Sequence, residues 1–491
     1  MKPNYRIALI ALPLLSILAC KSDDDNAVTN QPVGEQNLVK FEALSTTPNF
    51  LKTTSEFSNV NVYPLISSED VLEQTPNFVY GSMADGAGLL KNSDNTFTLI
   101  NNIEADYSIA RITLDQTFKP VAGEYILNAQ ATGFTAQCSG SLVTPEEHGF
   151  GPVYLSGGEW GGASKGVFAT YPDKDPSSAS FAQMLPAFGQ WSTENAVVIG
   201  KDAYPTKTVA FIGDDHSDNS VPSGQLGMYV GNRGDLFNGQ LFGLRVTDAS
   251  ITFEVDMQEG QTYPIDFVAL QETEINLLDA EAKAKGVMGF SRLEDIDWRR
   301  GSASNNREIY FAVTGRKKPD LVGKGTIYGR IYKVTLNAND PSGAGTITCV
   351  LDGDLTNGKA KMFHSPDNVL VTENYVYIQE DPNGYFDNAD KTHYASLYQY
   401  NINTGELKKV LECDQVAAAA QGYGSENSIW EITGMIDISA QTGKPGSFIV
   451  ITQNHGWEPA DGSAFTDPNA NPDLNSRKEG SVLYVIEGLE Q

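Results

Sequence analysis

The stretch TVAFIG (208–213), followed by GMYVG (227–231) and QLFGLRV (240–246), decides the fold class of this chain. Each run is short and rich in Val, Ile, Phe, Tyr or Leu, residue types that fit a pleated, half-buried strand. The segments between the runs contain Gly, Asn, Asp, Ser and Pro, which favour turns. The stretch therefore predicts three short strands that follow one another along the chain.

The same pattern continues along the chain from about residue 41 onwards. Helical patterns are confined to residues 275–285, which are rich in Ala and Glu, and to a weak run at 416–420. Many short strands with little helix favour a single all-β propeller or a large barrel over a sandwich, and argue against a parallel α/β sheet. No short repeat is visible, so the blades of a propeller would be irregular and carry insertions. Examples of the runs predicted to be strands are 96–103, 123–127, 153–156, 208–213, 227–231, 240–246, 309–314, 329–336, 345–351, 375–379, 397–400 and 447–452.

The first forty residues are expected to lie outside the folded domain. Lys2 and Arg6 precede an apolar run at 7–19 that is too short to span a bilayer. The sequence ILAC (17–20) matches the lipobox of bacterial lipoproteins, whose Cys receives the lipid; an ordinary signal peptide with an incidental Cys is the alternative. We expect a signal peptide at 1–19, a lipidated Cys20 that attaches the chain to the membrane with a flexible tether at 20–40, and a β-propeller domain at 41–491.

The residues after Cys20, KSDDDN (21–26), resemble the surface-export tag of some Gram-negative lipoproteins. They predict an outer-membrane lipoprotein exposed at the cell surface; the periplasmic leaflet, or a merely solvated spacer, is the alternative. The chain has 34 basic and 62 acidic side chains, a net charge of −28. Such a charge disfavours nucleic acid as a partner and suits hard cations held by carboxylates, although solubility alone explains most of it.

Three cysteines follow Cys20: Cys138, Cys349 and Cys413. An odd number cannot all pair within the chain. Cys349 and Cys413 are candidates for a disulfide, which leaves Cys138 as a thiol that needs another role in an oxidising compartment.

Carboxylates cluster in loops, between small residues and close to the predicted strand ends. In a propeller, loops at one end of successive blades converge on the central channel, so residues far apart in sequence can meet there. Buried like charges repel one another unless cations neutralise them. Ca²⁺ takes oxygen ligands and a Cys138 thiolate suits a transition metal, whereas the alternative is that each carboxylate is a solvated turn residue. The segments are NNIE (101–104), CSG (138–140), SGGEW (156–160), TEN (193–195), GDD (213–215), SRLED (291–295), SPDN (365–368), QED (379–381) and WEITG (430–434).

In their order, these segments resemble the PhoX-type alkaline phosphatase family over most of residues 75–460. Family members show Asn-His-Glu at a strand end, then a Cys in a small-residue loop, a Gly-Glu-Glu turn, and Leu-Pro-x-x-Gly before Glu-Asn. Further along they show Asp-Asp before Gly-Gln-Leu-x-x-Tyr-Val-Gly, and later Arg-x-Glu-Asp. The matching segments are NIE (102–104), CS (138–139), GEW (158–160), LPAFG (185–189), EN (194–195), DD (214–215), GQLGMYVG (224–231), NGQLFGLRV (238–246), FSRLED (290–295), PDN (366–368), QEDP (379–382), and Glu431 with GMID (434–437).

The resemblance implies a six-bladed propeller whose centre holds calcium and iron and hydrolyses phosphate monoesters. Arg292, beside Glu294, would clamp the phosphate with its planar guanidinium; a salt bridge to Glu294 or Asp295 is the plainer role. Carried over by motif, the first metal ligands are Cys138, Glu159, Glu194, Glu294 and Glu380. Further ligands implied by the resemblance are Glu104, Asp214, Asp215, Asp367, Asn368 and Glu431.

Three positions depart from the family pattern: Ile103 stands in place of His, Trp160 in place of Glu, and His216 in place of an acid. Each change removes a polar or charged group near the expected centre, which points to a smaller or inactive cluster. The sequence therefore supports two functions. One is a metal-dependent phosphomonoester hydrolase at the cell surface, and the other is a non-catalytic propeller lipoprotein that serves as a ligand-binding or assembly subunit of an outer-membrane complex.

Overall fold

The computed structural model describes residues 38–162, 164–216, 218–382, 393–474 and 479–491. The chain divides into two units, Met1–Leu38 and Val39–Gln491, and the strands belong to the second. The predicted signal peptide, the lipidated Cys20 and most of the tether fall on residues 1–37, outside the described residues. In the ranges above, every helix is too short or too polar to cross a membrane.

The second unit is built mainly of antiparallel strands, in the all-β, propeller-like arrangement that the strand pattern predicts. Two strands, β1 (Leu51–Thr53) and β2 (Asn61–Ser67), precede the first complete sheet. That sheet has four consecutive strands, β3 (Ala84–Lys91), β4 (Phe97–Ile103), β5 (Ser108–Leu114) and β6 (Pro120–Leu127). A three-stranded sheet follows, with β7 (Thr135–Val143), β8 (Val153–Gly161) and β9 (Gly166–Thr170).

The middle of the chain forms one nine-stranded sheet from two antiparallel meanders. The first meander has β10 (Thr193–Val198), β11 (Lys207–Asp214), β12 (Leu226–Asn232), β13 (Gln240–Val246) and β14 (Thr262–Leu270). The second has β15 (Leu293–Trp298), β16 (Glu308–Val313), β17 (Arg330–Thr335) and β18 (Gly345–Asp352). Pairing of β14 with β18 joins the two meanders at their outer strands.

The last two sheets each take one strand from the N-terminal part of the chain. Strand β1 completes the sheet of β19 (Pro366–Val371), β20 (Tyr375–Glu380), β21 (Ser396–Asn401) and β22 (Leu407–Cys413) by pairing with β22. Strand β2 completes the sheet of β23 (Glu431–Asp437), β24 (Ser447–Asn454) and β25 (Gly480–Glu487) by pairing with β25. Across the described ranges, the hydrogen-bonded sheets therefore comprise four small sheets and one nine-stranded sheet, rather than six separate ones.

In the part of the chain that the structure describes, four short α-helices connect the strands: α1 (Pro145–His148), α2 (Ile275–Ala284), α3 (Gln415–Ala420) and α4 (Ser439–Thr442). The carboxylate of Glu274 caps α2 by accepting hydrogen bonds from the backbone N–H groups of Asn276 and Leu277, which have no partner inside the helix. Helices α2 and α3 confirm the two helical patterns found in the sequence.

Each meander has one edge strand that contacts the corresponding edge strand of the next meander. Together these edge strands form a closed ring. The ring runs through β3, β7, β10, β15, β19 and β23 and back to β3, and we call these six the axial strands. Hydrophobic clusters fill the spaces between neighbouring sheets, as where Leu99 of β4 packs in one cluster with Ile451 and Leu483 of β24 and β25. The sheets therefore pack face to face around the axial strands.

The predicted pairing of Cys349 with Cys413 is wrong. All three cysteines of the described residues are free thiols. Cys349 packs in the core of the nine-stranded sheet, and Cys413 packs in a different core, between the sheet of β19–β22 and that of β23–β25. Two thiols in separate cores cannot approach within bonding distance.

Candidate metal centre

The axial strands share an irregularity in their pairing. In each of them the register shifts across two residues, as in a β-bulge. In a regular strand two consecutive side chains point to opposite faces, whereas a bulge re-aims them. The residue pairs inside these shifts are Asp85-Gly86, Cys138-Ser139, Glu194-Asn195, Glu294-Asp295, Asp367-Asn368 and Gly434-Met435.

The prediction that the carboxylates lie in loops is wrong for most of them. Cys138, Glu194, Glu294 and Asp367 belong to axial strands, and Glu159 belongs to β8. The axial strands contain many Gly, Asp, Asn and Ser residues, which have low strand propensity and resemble loop sequences. Tertiary packing around the axis outweighs that propensity, so the candidate ligands are held on strands rather than on loops.

Seven side chains approach one another at the level of the bulges. Their ligand atoms form three overlapping groups, each with all atoms within 4.8 Å of one another. Cys138 and Glu194 each belong to two groups, so the three groups form one continuous cluster, which we call the axial cluster. The groups are Asp85, Glu104 and Cys138; Cys138, Glu159 and Glu194; and Glu194, Glu294 and Asp367. Six of these seven residues were predicted as metal ligands from the sequence.

Asp85 is the member that the sequence interpretation missed. It is buried in β3, where Thr433 of β23 donates a hydrogen bond to its carboxylate. The signal that could have found it is the segment Ala84-Asp85-Gly86-Ala87, an acid between small residues like those around the other ligands. Its position matters because it brings a carboxylate from the first axial strand beside Cys138 of the second.

Burial makes the charged forms of the cluster unfavourable in the metal-free chain. It raises the pKa values of Asp85, Glu194 and Glu294 well above their usual range. Neighbouring carboxylates raise them further, while the Arg292 guanidinium opposes the shift of Glu294. The pKa of the Cys138 thiol is also raised, by burial and then by the nearby Glu104 and Glu194. Cations would reverse these shifts, because they favour the deprotonated ligands.

The donor set fits both hard and soft cations. Carboxylate oxygens are the ligands that Ca²⁺ prefers, and the Cys138 sulfur suits a transition metal. The Asn368 Oδ1 atom is buried, next in sequence to Asp367, and has no hydrogen-bond partner among the described residues. A buried amide oxygen of this kind is available as a further ligand.

Arg292 makes ion pairs with two carboxylates at the edge of the cluster. Its Nε lies 3.0 Å from Asp215 Oδ1, and its Nη2 lies 2.5 Å from Glu294 Oε1. The backbone is left-handed here, with φ of 67°, which is uncommon for an arginine. The Arg292 side chain remains 25% exposed, while its guanidinium is held in place by Asp215 and Glu294.

Glu104 is held by two neutral donors. The Trp160 Nε1–H group donates to Glu104 Oε1 at 2.8 Å, and Gln453 Nε2 donates to Glu104 Oε2 at 2.7 Å. Trp160 is one of the three departures from the family pattern. Its indole therefore occupies one oxygen of Glu104 with a hydrogen bond, and Glu104 is a carboxylate of the axial cluster. Ile103, another departure, is buried in a hydrophobic core and brings no polar atom to the site. The third, His216, is partly exposed and directly follows Asp215.

Five predicted ligands lie outside the three groups: Glu380, Asp214, Asp215, Asn368 and Glu431. Glu380 accepts hydrogen bonds from the backbone N–H of His364 at 2.9 Å and of Ser396 at 3.1 Å, and its Oε2 lies 2.8 Å from His393 Nε2. Asp214 accepts a hydrogen bond from the backbone N–H of Ser192 at 3.0 Å. Glu431 is buried in β23, and burial together with the nearby Asp381 and Asp367 raises its pKa.

A second polar layer lies one residue further along four axial strands. Asn368 Nδ2 donates to Ser139 Oγ at 2.6 Å, and the Asn195 amide donates to Asp295. Asp295 also accepts a hydrogen bond from the backbone N–H of Val369 at 2.9 Å. These bonds connect different axial strands and fix their spacing. Beyond this layer, the same strands line a cavity of about 820 Å³.

A ring of strands that buries carboxylates and a thiol at its axis defines a propeller-like protein with a site suited to cations. The model of the family described as alkaline phosphatase PhoX matches residues 172–444. This chain belongs to the PhoX alkaline phosphatase family, which is metal-dependent. No curated protein sequence matches the chain significantly.

Solved structures resemble this fold at low sequence identity. One is Pseudomonas fluorescens PhoX in complex with vanadate, a transition state analogue, with a TM-score of 0.62 and 14% identity over 92% of this chain and 98% of that one. A second is the PQQ-bound aldose sugar dehydrogenase from Streptomyces coelicolor, with a TM-score of 0.37 and 10% identity over 87% and 98% of the two chains. The first similarity supports the propeller-like fold, and the second is too weak to support an argument.

Proposed function

We propose that this protein is a metal-dependent hydrolase of phosphate monoesters. The observation that carries the proposal is the axial cluster, which gathers Cys138 and six carboxylates from residues that span most of the chain. Membership of the PhoX family gives the reaction class, because the family is one of alkaline phosphatases.

The residues of the cluster would hold calcium and iron. In this proposal Cys138 and the neighbouring glutamates bind iron, and the remaining carboxylates with Asn368 bind calcium, in keeping with the preferences of soft and hard cations. Bound cations supply stabilisation of the negative charge on the phosphoryl oxygens. The bulges hold the ligands at fixed spacing, and burial keeps bulk water away from them.

Arg292 would orient the phosphate. Its planar guanidinium can present two parallel N–H groups to phosphate oxygens. The ion pairs with Asp215 and Glu294 hold the side chain at the edge of the cluster, so little conformational freedom is lost when an anion binds. In this proposal Arg292 has two roles in the same position: it forms salt bridges with Asp215 and Glu294, and it binds the phosphate.

One observation favours the non-catalytic alternative. Both oxygens of Glu104 already accept hydrogen bonds, from Trp160 and Gln453, which lowers its need for a cation. A cluster that binds fewer metals, or none, would not support hydrolysis. The second candidate function is then a binding or assembly subunit of an outer-membrane complex.

We also propose that the unit is a six-bladed propeller. The nine-stranded sheet then counts as two blades, β10–β14 and β15–β18, that pair through β14 and β18. A hydrophobic cluster with Phe211, Phe311 and Tyr332 lies between these two meanders, as other clusters lie between separate sheets. The six bulged axial strands support the same count.

For its location we propose a lipoprotein anchored through Cys20 and exposed on the outer membrane. The lipobox and the KSDDDN segment support this proposal. Labelling of intact cells with an antibody against the second unit tests it, because a protein on the inner leaflet would be reached only after the outer membrane is opened.

A paired measurement tests the function: metal content by elemental analysis and hydrolysis of a chromogenic phosphate monoester. We expect bound calcium and iron, turnover that is lost on chelation, and loss of both iron and turnover in Cys138→Ala. Cys349→Ala is a matched control, since Cys349 is also a buried free thiol but lies outside the cluster. A metal-free protein that does not hydrolyse the ester, with or without added cations, would refute the proposal.

A further inference from the structure

Three aromatic side chains form a cluster beside the axial cluster. Tyr107 is in contact with both Phe134 and Trp160, with ring centroids 6.1 Å and 5.7 Å apart. Both pairs are edge-to-face, at interplanar angles of 73° and 74°, a favourable geometry for aromatic rings. The three residues come from two neighbouring sheets, since Tyr107 lies between β4 and β5 and Trp160 lies in β8.

A direct hydrogen bond connects this aromatic cluster to the candidate metal ligands. The Trp160 indole N–H donates to Glu104 Oε1 at 2.8 Å, and Glu104 lies within one ligand group with Cys138. The residue before Trp160 is Glu159, a member of the second group. The indole ring is therefore one hydrogen bond away from a candidate ligand of the axial cluster.

The aromatic cluster faces solvent at a strained part of the backbone. Phe134 is 43% exposed, and both Phe134 and Tyr107 have left-handed backbones, with φ of 60° and 56°. Such conformations are unfavourable for large side chains, and strained residues of this kind cluster at active sites and ligand-binding positions. The nearby Gly162 packs so closely on the carbonyl of Gly133 that a Cβ would lie 1.9 Å from that oxygen, which fixes the two loops against each other.

We propose that Tyr107, Phe134 and Trp160 bind the leaving group of the substrate and select phosphate monoesters whose alcohol carries a planar aromatic ring, such as nucleoside monophosphates. This inference rests on the proposed phosphatase function. With the phosphate at the axial cluster, the ring of the alcohol lies against the exposed face of Phe134 and the partly exposed Trp160. Hydrolysis transfers the phosphoryl group to water, and the ring leaves with the alcohol.

Comparison of two substrates tests the inference in the metal-loaded protein. Stacking of a base on an aromatic side chain contributes about five- to a hundredfold in affinity. We expect Phe134→Ala to lower kcat/KM for adenosine 5′-monophosphate about tenfold and to leave kcat/KM for glycerol 2-phosphate within about twofold. Phe237→Ala is the matched control, because Phe237 has a similar exposure of 45% but lies between β12 and β13. Equal values for both substrates in the wild type, unchanged in Phe134→Ala, would overturn the inference.

A binding measurement separates failure of this inference from failure of the proposed function. Intrinsic tryptophan fluorescence is titrated with adenosine 5′-monophosphate and with ribose 5-phosphate, which lacks the base. We expect quenching by the nucleotide alone, and its loss in Trp160→Phe. If the protein turns over neither substrate but Trp160 is quenched, the aromatic site stands while the phosphatase function fails. If phosphate esters are hydrolysed and the Trp160 signal does not change, the function stands while the aromatic site is refuted.

Discussion

The Cys138 sulfur lies 3.1 Å from Glu159 Oε2, between two strands of one sheet. Both groups are candidate ligands, and burial raises the pKa of each in the metal-free chain. The pair is therefore favourable in one of two ways: with a proton between sulfur and oxygen, or with a cation that replaces that proton. This relationship makes the stability of the protein depend on metal in a way that can be measured.

Glu159→Gln should have opposite effects on the two forms of the protein. In metal-free protein at pH 8 it removes a carboxylate whose ionisation burial opposes, so the free energy of unfolding should rise by about 1 kcal/mol. In metal-loaded protein it removes a ligand, so metal affinity and thermal stability should fall. Urea unfolding with and without chelator measures both. A change of the same sign in both forms would contradict the assignment of Glu159 as a ligand.

Arg292→Lys should impair turnover while leaving the fold intact. Lysine keeps the positive charge but loses the planar fork that can face a phosphate and Asp215 together. We expect kcat/KM to fall on the order of a hundredfold. The control is Arg300→Lys, because Arg300 is also a paired arginine, bound to Asp297, but it lies on the wall of the cavity. Equal effects of the two substitutions would show that Arg292 acts only as a structural ion pair.

Asp106→Asn should change the pH dependence of stability without altering any residue of the axial cluster. Asp106 is fully buried, and burial raises its pKa from 3.8 to about 8. A carboxyl with a raised folded-state pKa stabilises the fold when protonated, so this contribution is present below about pH 4 and is lost as the pH rises to about 8. The expected loss is roughly 1.4 kcal/mol per pH unit in that window. Asp106→Asn should reduce the slope of the unfolding free energy against pH by the equivalent of one proton, as measured by urea unfolding between pH 4 and 8. An unchanged slope would refute the raised pKa of Asp106.

Trp160→Glu should increase the capacity for cations. The substitution removes the indole donor to Glu104 and adds a carboxylate beside Glu159, restoring the acidic turn of the family. We expect at least one more bound cation per chain by elemental analysis, and lower stability when the protein is stripped of metal. Trp160→Phe serves as the comparison, since it removes the donor without adding charge. Identical metal content in both variants would show that position 160 is not near a cation.

The sequence predicted the outer part of the fold better than its centre. All twelve predicted runs correspond to strands, such as β4, β11 and β24. None of them is an axial strand. Outer strands are packed between sheets and are rich in Val, Ile and Tyr, whereas axial strands such as ADGAGLLK (84–91) and LEDIDW (293–298) place polar and small residues around the axis. Strand propensity is a poor guide wherever a strand faces a site rather than a core.

The candidate site could be predicted as a set of residues but not as a geometry. The order of the motifs pointed to six of the seven members of the axial cluster, and the convergence of these members depends on bulges that leave no clear trace in sequence. Asp85 was missed because it has no counterpart among the quoted motifs, although it lies between small residues as the other ligands do. Glu380 matches a motif, yet its contacts to His364, His393 and Ser396 were not visible in the sequence.

Strands β1 and β2 come from the beginning of the chain, and each completes a sheet that the end of the chain supplies. A nascent chain on the ribosome can expose every residue from Asp85 to Asp367 and still lack β25, to which β2 must pair. The sheet that contains β2, β23 and β24 is complete only when β25 has been made, so we expect a chain truncated before β25 to hold its ligands poorly and to bind cations weakly.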